Sequence, residues 1–203
     1  MDRDDVEILE KTTPFRGYFR IDRYRLRHRL FAGGWSDVMT REVFERGHAV
    51  GILPYDPERD RVVLVEQFRP GAHVSPGFRS WLVEVVAGII EPGEDPADVA
   101  RRETLEESGC ALLALRPMFD YLASPGGTSH AVKLYLGRVD SAGAQGIHGL
   151  PHEHEDIRVM AVPFADWPDL QREGRIADAC SLLALQWLAL HRDEVRAVWS
   201  GTP

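Results

Sequence analysis

Between Gly88 and Cys110 the chain runs Gly-Ile-Ile-Glu-Pro-Gly-Glu-Asp-Pro-Ala-Asp-Val-Ala-Arg-Arg-Glu-Thr-Leu-Glu-Glu-Ser-Gly-Cys, and this stretch restricts what the rest can be. It reads as a loop, a helix and a stop. Asp95 suits the N-cap, Pro96 the first turn, where its missing N–H goes unnoticed, and Asp98 the positive end of the helix dipole. Gly109 suits a left-handed C-terminal cap. On this helix Glu103, Glu106 and Glu107 recur three and four residues apart, so their carboxylates share one face. Position adds to their repulsion, because the C-terminal turn carries the negative end of the dipole and prefers cations. A solvated acidic face, partly neutralised by Arg101 and Arg102, would explain the cluster without a ligand. A bound hard cation explains it too, and magnesium fits, since it takes a few carboxylates together with water and phosphate oxygens.

Residues 1–47 differ in character from the remainder of the chain. In Arg23-Tyr-Arg25-Leu-Arg27-His-Arg29-Leu30 every second residue is arginine, which at the two-residue period of a strand gathers the guanidiniums on one face and leaves Tyr24, Leu26 and Leu30 to the other. Such a face is either a phosphate or nucleic-acid surface or a solvated, intersubunit one. Gly33-Gly34 offers a hairpin-like turn. With so little apolar content, the segment should pack on the main domain, residues 48–203, or on a second subunit, so a homodimer is expected.

The main domain begins with strands at 48–55 and 62–69, joined by a turn through residues 56–60. Val62-Val63-Leu64-Val65 is a continuous apolar run, as in a strand covered on both faces. Residues 81–86 read as one further buried strand leading into Ala87 and Gly88. Glu84 is ionisable inside it and requires a partner, either Arg102 or a metal-bound water. After the helix come strands near 118–122 and 131–139, separated by Ser124-Pro-Gly-Gly127-Thr-Ser129, whose small residues admit a ligand close to the backbone. Residues 141–149, glycine-rich and without periodicity, are expected to be mobile. They lead into a second acidic cluster, Leu150-Pro-His152-Glu153-His154-Glu155-Asp156. His148, His152 and His154 raise zinc as an alternative, but they lack the fixed spacing of a zinc motif. In an extended loop Glu153 and Glu155 point the same way and His154 elsewhere. A last strand at 157–162 ends at Pro163, a short helix starts near 165–167, and the apolar residues of 178–191 fit a buried helix.

A net charge of -8 argues against general nucleic-acid binding, which needs a positive footprint. Two cysteines without metal-ligand spacing, no signal-like start and no apolar run of membrane length point to a cytoplasmic protein with reduced thiols.

Gly88, Glu94, Arg102, Glu103, Glu106, Glu107 and Gly109 match the Nudix box residue by residue. Thr104 and Cys110 depart mildly, standing where larger aliphatic residues are common. Arg41-Glu-Val-Phe-Glu-Arg46-Gly, Glu66-Gln-Phe-Arg69, Glu84-Val-Val-Ala87-Gly88, Leu122-Ala-Ser-Pro-Gly-Gly-Thr-Ser129, Gly146-Ile-His-Gly149 and Glu153-His-Glu155-Asp156-Ile-Arg-Val extend the likeness over nearly the whole chain. The chain resembles the ADP-ribose pyrophosphatase branch of the Nudix family. That resemblance implies an α/β fold, the Nudix α/β/α sandwich with a mixed sheet, plus a small N-terminal antiparallel sheet exchanged between the subunits of a homodimer. It implies hydrolysis of a nucleoside diphosphate sugar, ADP-ribose, to AMP and ribose 5-phosphate with Mg2+, for which Mn2+ can substitute.

By the same resemblance Glu103, Glu107, Glu155 and the Ala87 carbonyl are metal ligands and Glu153 is the general base, with Arg102 and Glu106 in the catalytic set. Arg69, Gly127 and, from a partner subunit, Arg41 face the substrate, and Tyr18 or Phe19 stacks on adenine. One departure concerns the substrate: His130 stands where the branch often has a glutamate near the terminal ribose. The alternatives are another substrate such as GDP-mannose, an ADP-ribose sensor without hydrolysis, which would show damage to the glutamate cluster, and a nucleic-acid or messenger-cap role. No nucleic-acid or membrane partner is expected.

Overall fold

The run Val62-Val63-Leu64-Val65 is fully buried, and in the structure, a computed structural model that describes residues 1–199, helices cover both of its sides. In chain order the strands and helices are β1 (Val6–Arg16), β2 (Arg20–His28), β3 (Met39–Glu45), β4 (His48–Asp56), β5 (Arg61–Phe68), α1 (Pro70–His73), β6 (Trp81–Glu84), β7 (Val86–Ile90), α2 (Pro96–Ser108), β8 (Ala114–Leu122), β9 (Ala131–Arg138), β10 (Gln145–His148), β11 (Ile157–Pro163), α3 (Trp167–Arg172) and α4 (Ala179–Trp199). They form two units, Met1–His48 with Leu122–Ala131, and Ala49–Tyr121 with the chain from Val132 on.

In the larger unit the sheet order is β10-β11-β5-β4-β9-β8. It is mixed: β4 and β9 run parallel, whereas β5 runs antiparallel to β4, β6 and β11. On one face Val63, Val65, Ile52 and Val159 pack with Val99 and Ala100 of α2. On the other, Val62, Leu64, Leu53 and Leu136 pack with Leu185, Leu188 and Val195 of α4. Each large aliphatic side chain buried this way contributes about 1.5–3 kcal/mol of transfer free energy. The resulting α/β/α arrangement is the one expected. Among the described residues no helix is long and apolar enough to cross a membrane.

Residues 81–86 do not form the single strand expected of them. β4 and β5 pair only beside their turn, at Tyr55 with Val62 and Asp56 with Arg61, and then diverge. The chain enters this fork, pairing first with β5 as β6 and then with β4 as β7, with Val85 between the two. A second correction concerns residues 141–149. Instead of a mobile loop, Gln145–His148 is an edge strand in register with Ile157–Met160 of β11, and Ser141 is buried. The last helix is also longer than the apolar pattern suggested, ending at Trp199.

In the smaller unit β1, β2 and β3 form an antiparallel sheet. Three arginines of β2 are matched from the flanking strands: Arg23 by Glu42 at 2.8 Å, Arg25 by Glu10 at 3.2 Å and Arg27 by Glu7 at 2.6 Å. Arg29 lies beyond the end of β2, over the Trp35 ring. The face is therefore largely self-paired rather than a free basic surface.

Asp56 ties the β4–β5 turn to the segment after β9. Its fully buried carboxylate accepts from the backbone N–H groups of Glu58, Arg59 and Ser141, from the Ser141 hydroxyl and from the Arg59 guanidinium, at 2.7–3.1 Å. Although burial alone would raise its pKa, these donors hold it well below the usual carboxylate range. Asp56→Asn should lower the unfolding free energy by about 2–4 kcal/mol at neutral pH, because it sets an amide against buried donors. The ionised form is the one favoured by folding. Its contribution is therefore complete above roughly pH 4, where the unfolded carboxylate titrates, and is lost as pH falls below that. Urea midpoints of wild type and variant should converge on acidification, and a constant gap would contradict this account.

Candidate active site

Local rules place α2 as expected. Asp95 Oδ1 accepts the Ala97 N–H at 2.8 Å, and Gly109 closes the helix at φ 69°, donating to the Leu105 carbonyl. The departures Thr104 and Cys110 belong to the buried side, where the Thr104 hydroxyl donates to the Ala100 carbonyl and Ser108 Oγ accepts the Cys110 N–H. That fixes which face turns inward, and it carries the glutamates partly under the sheet.

Glu107 is 3% exposed. Its Oε2 accepts the Ala87 N–H at 3.2 Å, joining the helix to the start of β7. Glu103 lies against Gly88, where any Cβ would overlap its carboxylate, so only glycine allows the approach. Burial pushes Glu107 up to about 8 and Glu103 up to about 7, and the charge of Glu155 adds to both. Arg102 opposes this from outside, reaching Glu103 at 2.8 Å, Glu106 at 3.2 Å and Glu94 at 3.7 Å.

Glu84 is paired with Arg69, Nε to Oε2 at 2.7 Å, rather than with either expected partner, Arg102 or a metal-bound water. Two facts decide this. Arg102 is already shared among three carboxylates, and the β5–β6 register, with Val65 opposite Glu84, sets Arg69 one step beyond the end of β5 on the same side. Arg69 keeps its charge in a desolvated place because Glu84 and Glu107 both favour it.

The second acidic cluster is not extended. Gly149, at φ 96°, donates to the Glu106 carbonyl at 3.4 Å and leaves room for the Glu155 Cβ, which any larger residue would meet. Pro151–Glu153 forms a 3-10 turn and His154 takes φ 60°. Leu150 N–H donates to Glu155 Oε2 at 3.1 Å, folding that carboxylate back on its loop. The alternation argument thus fails: Glu155 faces the carboxylates of α2, whereas Glu153 stands exposed beside His152. The close approach at Gly149 was not legible in a glycine-rich segment.

Of the residues expected at the site, Arg69, Ala87, Arg102, Glu103, Glu106, Glu107 and Glu155 gather around the C-terminal half of α2, with Glu153 at the rim of the adjoining loop. Tyr18, Arg41, Gly127 and His130 belong to the other unit. There Tyr18 is 88% exposed and meets Phe19 edge-on. Arg41 is exposed on β3. The Gly127 carbonyl accepts the Phe44 N–H, and His130 Nδ1 donates to the Gly47 carbonyl at 2.7 Å. Burial lowers the His130 pKa, which keeps the ring neutral.

A divalent cation fits the α2 centre. Buried carboxylates with raised pKa values, crowded at the negative end of a helix, are relieved by a hard positive charge, and Gly88 lets the backbone come close against Glu103. Among the described residues no three histidine, cysteine or acidic side chains are already grouped as a metal cage, and His148, His152 and His154 form no zinc set.

A NUDIX domain model matches residues 45–181. The chain is 48% identical over 198 residues to an ADP-ribose pyrophosphatase of Escherichia coli, covering 98% of this chain and 94% of that one. It is 43% identical to an ADP-ribose pyrophosphatase of Haemophilus influenzae, covering 97% and 92%, and 35% identical to a GDP-mannose pyrophosphatase of Cronobacter sakazakii, covering 74% and 78%. A crystal structure of an ADP compounds hydrolase superposes with a TM-score of 0.72 at 22% identity, covering 95% and 97%, which establishes the likeness of fold.

The strain at Glu107 has a measurable sign. Its folded pKa is raised, so with divalent ions chelated its ionisation should cost stability as pH climbs from about 5 to about 8. Glu107→Gln is expected to melt higher than wild type at the upper end of that range, by about 1–2 kcal/mol of stability, and to gain less from added Mg2+. Identical melting behaviour with and without Mg2+ would refute the assignment.

Proposed function

The chain belongs to the Nudix family, and from that premise we propose that it hydrolyses the pyrophosphate bond of ADP-ribose, releasing AMP and ribose 5-phosphate. It is a hydrolase of pyrophosphate bonds. The observation that carries the substrate is the near-full-length likeness to ADP-ribose pyrophosphatases in a chain whose glutamate set on α2 is intact; a sensor without hydrolysis has no need of that set. The self-paired arginines of β2 support the absence of a nucleic-acid partner.

In this reading Glu103, Glu107, Glu155 and the Ala87 carbonyl hold the divalent cation, Mg2+ with Mn2+ as a substitute. When bound, the cation neutralises the pyrophosphate and acidifies the attacking water. Arg102 pairs with Glu103 and Glu106 and orients them. Arg69, anchored by Glu84, presents its remaining guanidinium donors to a phosphate oxygen. Glu153, exposed on its loop, takes the proton of the water. Gly127 lets the substrate approach the backbone, Tyr18 stacks on the base, and Arg41 of the partner subunit completes the phosphate contacts.

The homodimer, with residues 1–47 exchanged and 48–203 as the hydrolase domain, is supported by Ile8, Phe15 and Phe31, each more than half exposed on the smaller unit. Sedimentation at the monomer mass would dismiss it. Both cysteines are free thiols, consistent with a place in the cytoplasm.

GDP-mannose is the second reading. It is favoured by the GDP-mannose pyrophosphatases among the relatives, and by a His130 ring committed to Gly47 rather than free for a ribose. Turnover of ADP-ribose, GDP-mannose and other nucleoside diphosphate sugars with Mg2+ separates the two; ADP-ribose should show the highest kcat/KM, and a preference for GDP-mannose would replace the first reading. With the preferred substrate, Glu153→Gln should lower kcat by roughly 10²–10⁴ with the Mg2+ requirement little changed. Glu155→Gln should instead raise the Mg2+ concentration for half-maximal rate. A Glu153→Gln protein within about threefold of wild type removes that residue from the mechanism.

A further inference from the structure

Where the chain changes partner inside the fork between β4 and β5, Val85 belongs to neither ladder, so no strand receives its N–H. Val85 is 1% exposed, and an amide left unpaired there would cost about 1–3 kcal/mol. Ser181, fully buried in the first turn of α4, meets it: Val85 N–H donates to Ser181 Oγ at 2.9 Å. The serine is itself fixed. Its N–H donates to Asp178 Oδ1 at 2.8 Å, and the Leu182 N–H donates to the Asp178 carbonyl, so Asp178 caps the helix.

On either side of Val85 the chain is held by charge. Glu84, one residue earlier, is bound to Arg69, and Ala87, two residues later, donates to Glu107. Both of those holds use charged side chains next to the proposed cation centre. The hold from α4 is a neutral hydroxyl that reaches the peptide from the side of the sheet opposite α2.

We infer that Ser181, anchored by Asp178, is a positioning residue for the cation centre, setting the place of the Ala87 carbonyl and of Glu84 through the Val85 N–H. It touches neither substrate nor cation. The inference rests on the proposed assignment of Ala87 and Glu107 to that centre.

The test compares wild type, Ser181→Ala, Ser181→Cys and, as a protein destabilised away from the site, Asp56→Asn. Binding of Mn2+ to each protein alone is titrated by electron paramagnetic resonance, and ADP-ribose turnover is measured well below every melting temperature. Ser181→Ala should bind Mn2+ about 10-fold more weakly, the usual effect of losing an outer partner of a ligand, and its kcat should fall by about 10-fold. Ser181→Cys keeps the volume but accepts poorly, so it should fall between; if Ser181→Ala does not fold, Ser181→Cys alone carries the comparison. Asp56→Asn should match wild type in both readouts. Wild-type Mn2+ affinity in a Ser181 variant that merely melts lower overturns the inference, as does a wild-type protein that takes up no Mn2+. A wild type that binds Mn2+ yet cleaves no nucleoside diphosphate sugar removes the proposed function instead, and the Mn2+ titrations still decide the role of Ser181.

Discussion

Acidic side chains are held where the sheet and α2 demand apolar contact, and most of the larger unit is arranged around that conflict. Glu84 and Glu107 are each less than a tenth exposed, on a face otherwise built from valine, isoleucine and alanine. Burying an unpaired carboxylate is far more costly than burying a valine is favourable, so each one needs a specific answer. Arg69 answers Glu84, the Ala87 amide answers Glu107 and Arg102 answers Glu103. These answers are incomplete, since Glu103 and Glu107 still sit well above the ordinary carboxylate range. That residual imbalance is one an incoming cation would relieve, and the apolar layers around it keep the imbalance from simply relaxing.

What could be read in the sequence depends on how local each determinant is. The extent of α2, its caps and its acidic face are set by residues within a few turns of one another, and all appear where spacing alone puts them. The apolar run of β5 likewise announced a strand covered on both faces. The fork is different, because a change of partner at Val85 depends on two strands diverging elsewhere. Nothing in Glu84-Val-Val-Ala encodes that. The same holds for the Glu84 partner: nothing local in the sequence points to Arg69, which the β5–β6 register brings to it. Residues 145–148 were misjudged because so short an edge strand takes its order from β11, and Glu153-His-Glu155 because Gly149 and His154 turn a loop that alternation alone would leave extended. Ser181 was invisible for a further reason. A single serine in an apolar helix carries no periodic signal, and its significance lies wholly in the distant amide it receives.

The smaller unit resolves its charge in another manner. Arg23, Arg25 and Arg27 are answered by glutamates one strand away, at distances typical of exposed pairs worth at most about 1 kcal/mol each, so they contribute register more than stability. The loop at residues 124–130 is sewn to β3 through Phe44, Glu45 and Gly47. His130 serves that seam.

The parallel pairing of β4 with β9 has a bearing on how the polypeptide acquires its shape. β4 is made early, yet its neighbour on that side arrives only after β5 to β8 and α2 have been added. Until then the edge from Ala49 to Tyr55, among the most apolar in the molecule, offers unpaired amides and carbonyls to any strand nearby. Pairing across so long a stretch of chain is slow compared with hairpin closure. On the ribosome, the nascent protein thus passes through an interval in which its own central strand is its chief aggregation hazard, and that interval ends when residues 131–138 dock and Ser141 closes on Asp56 behind them.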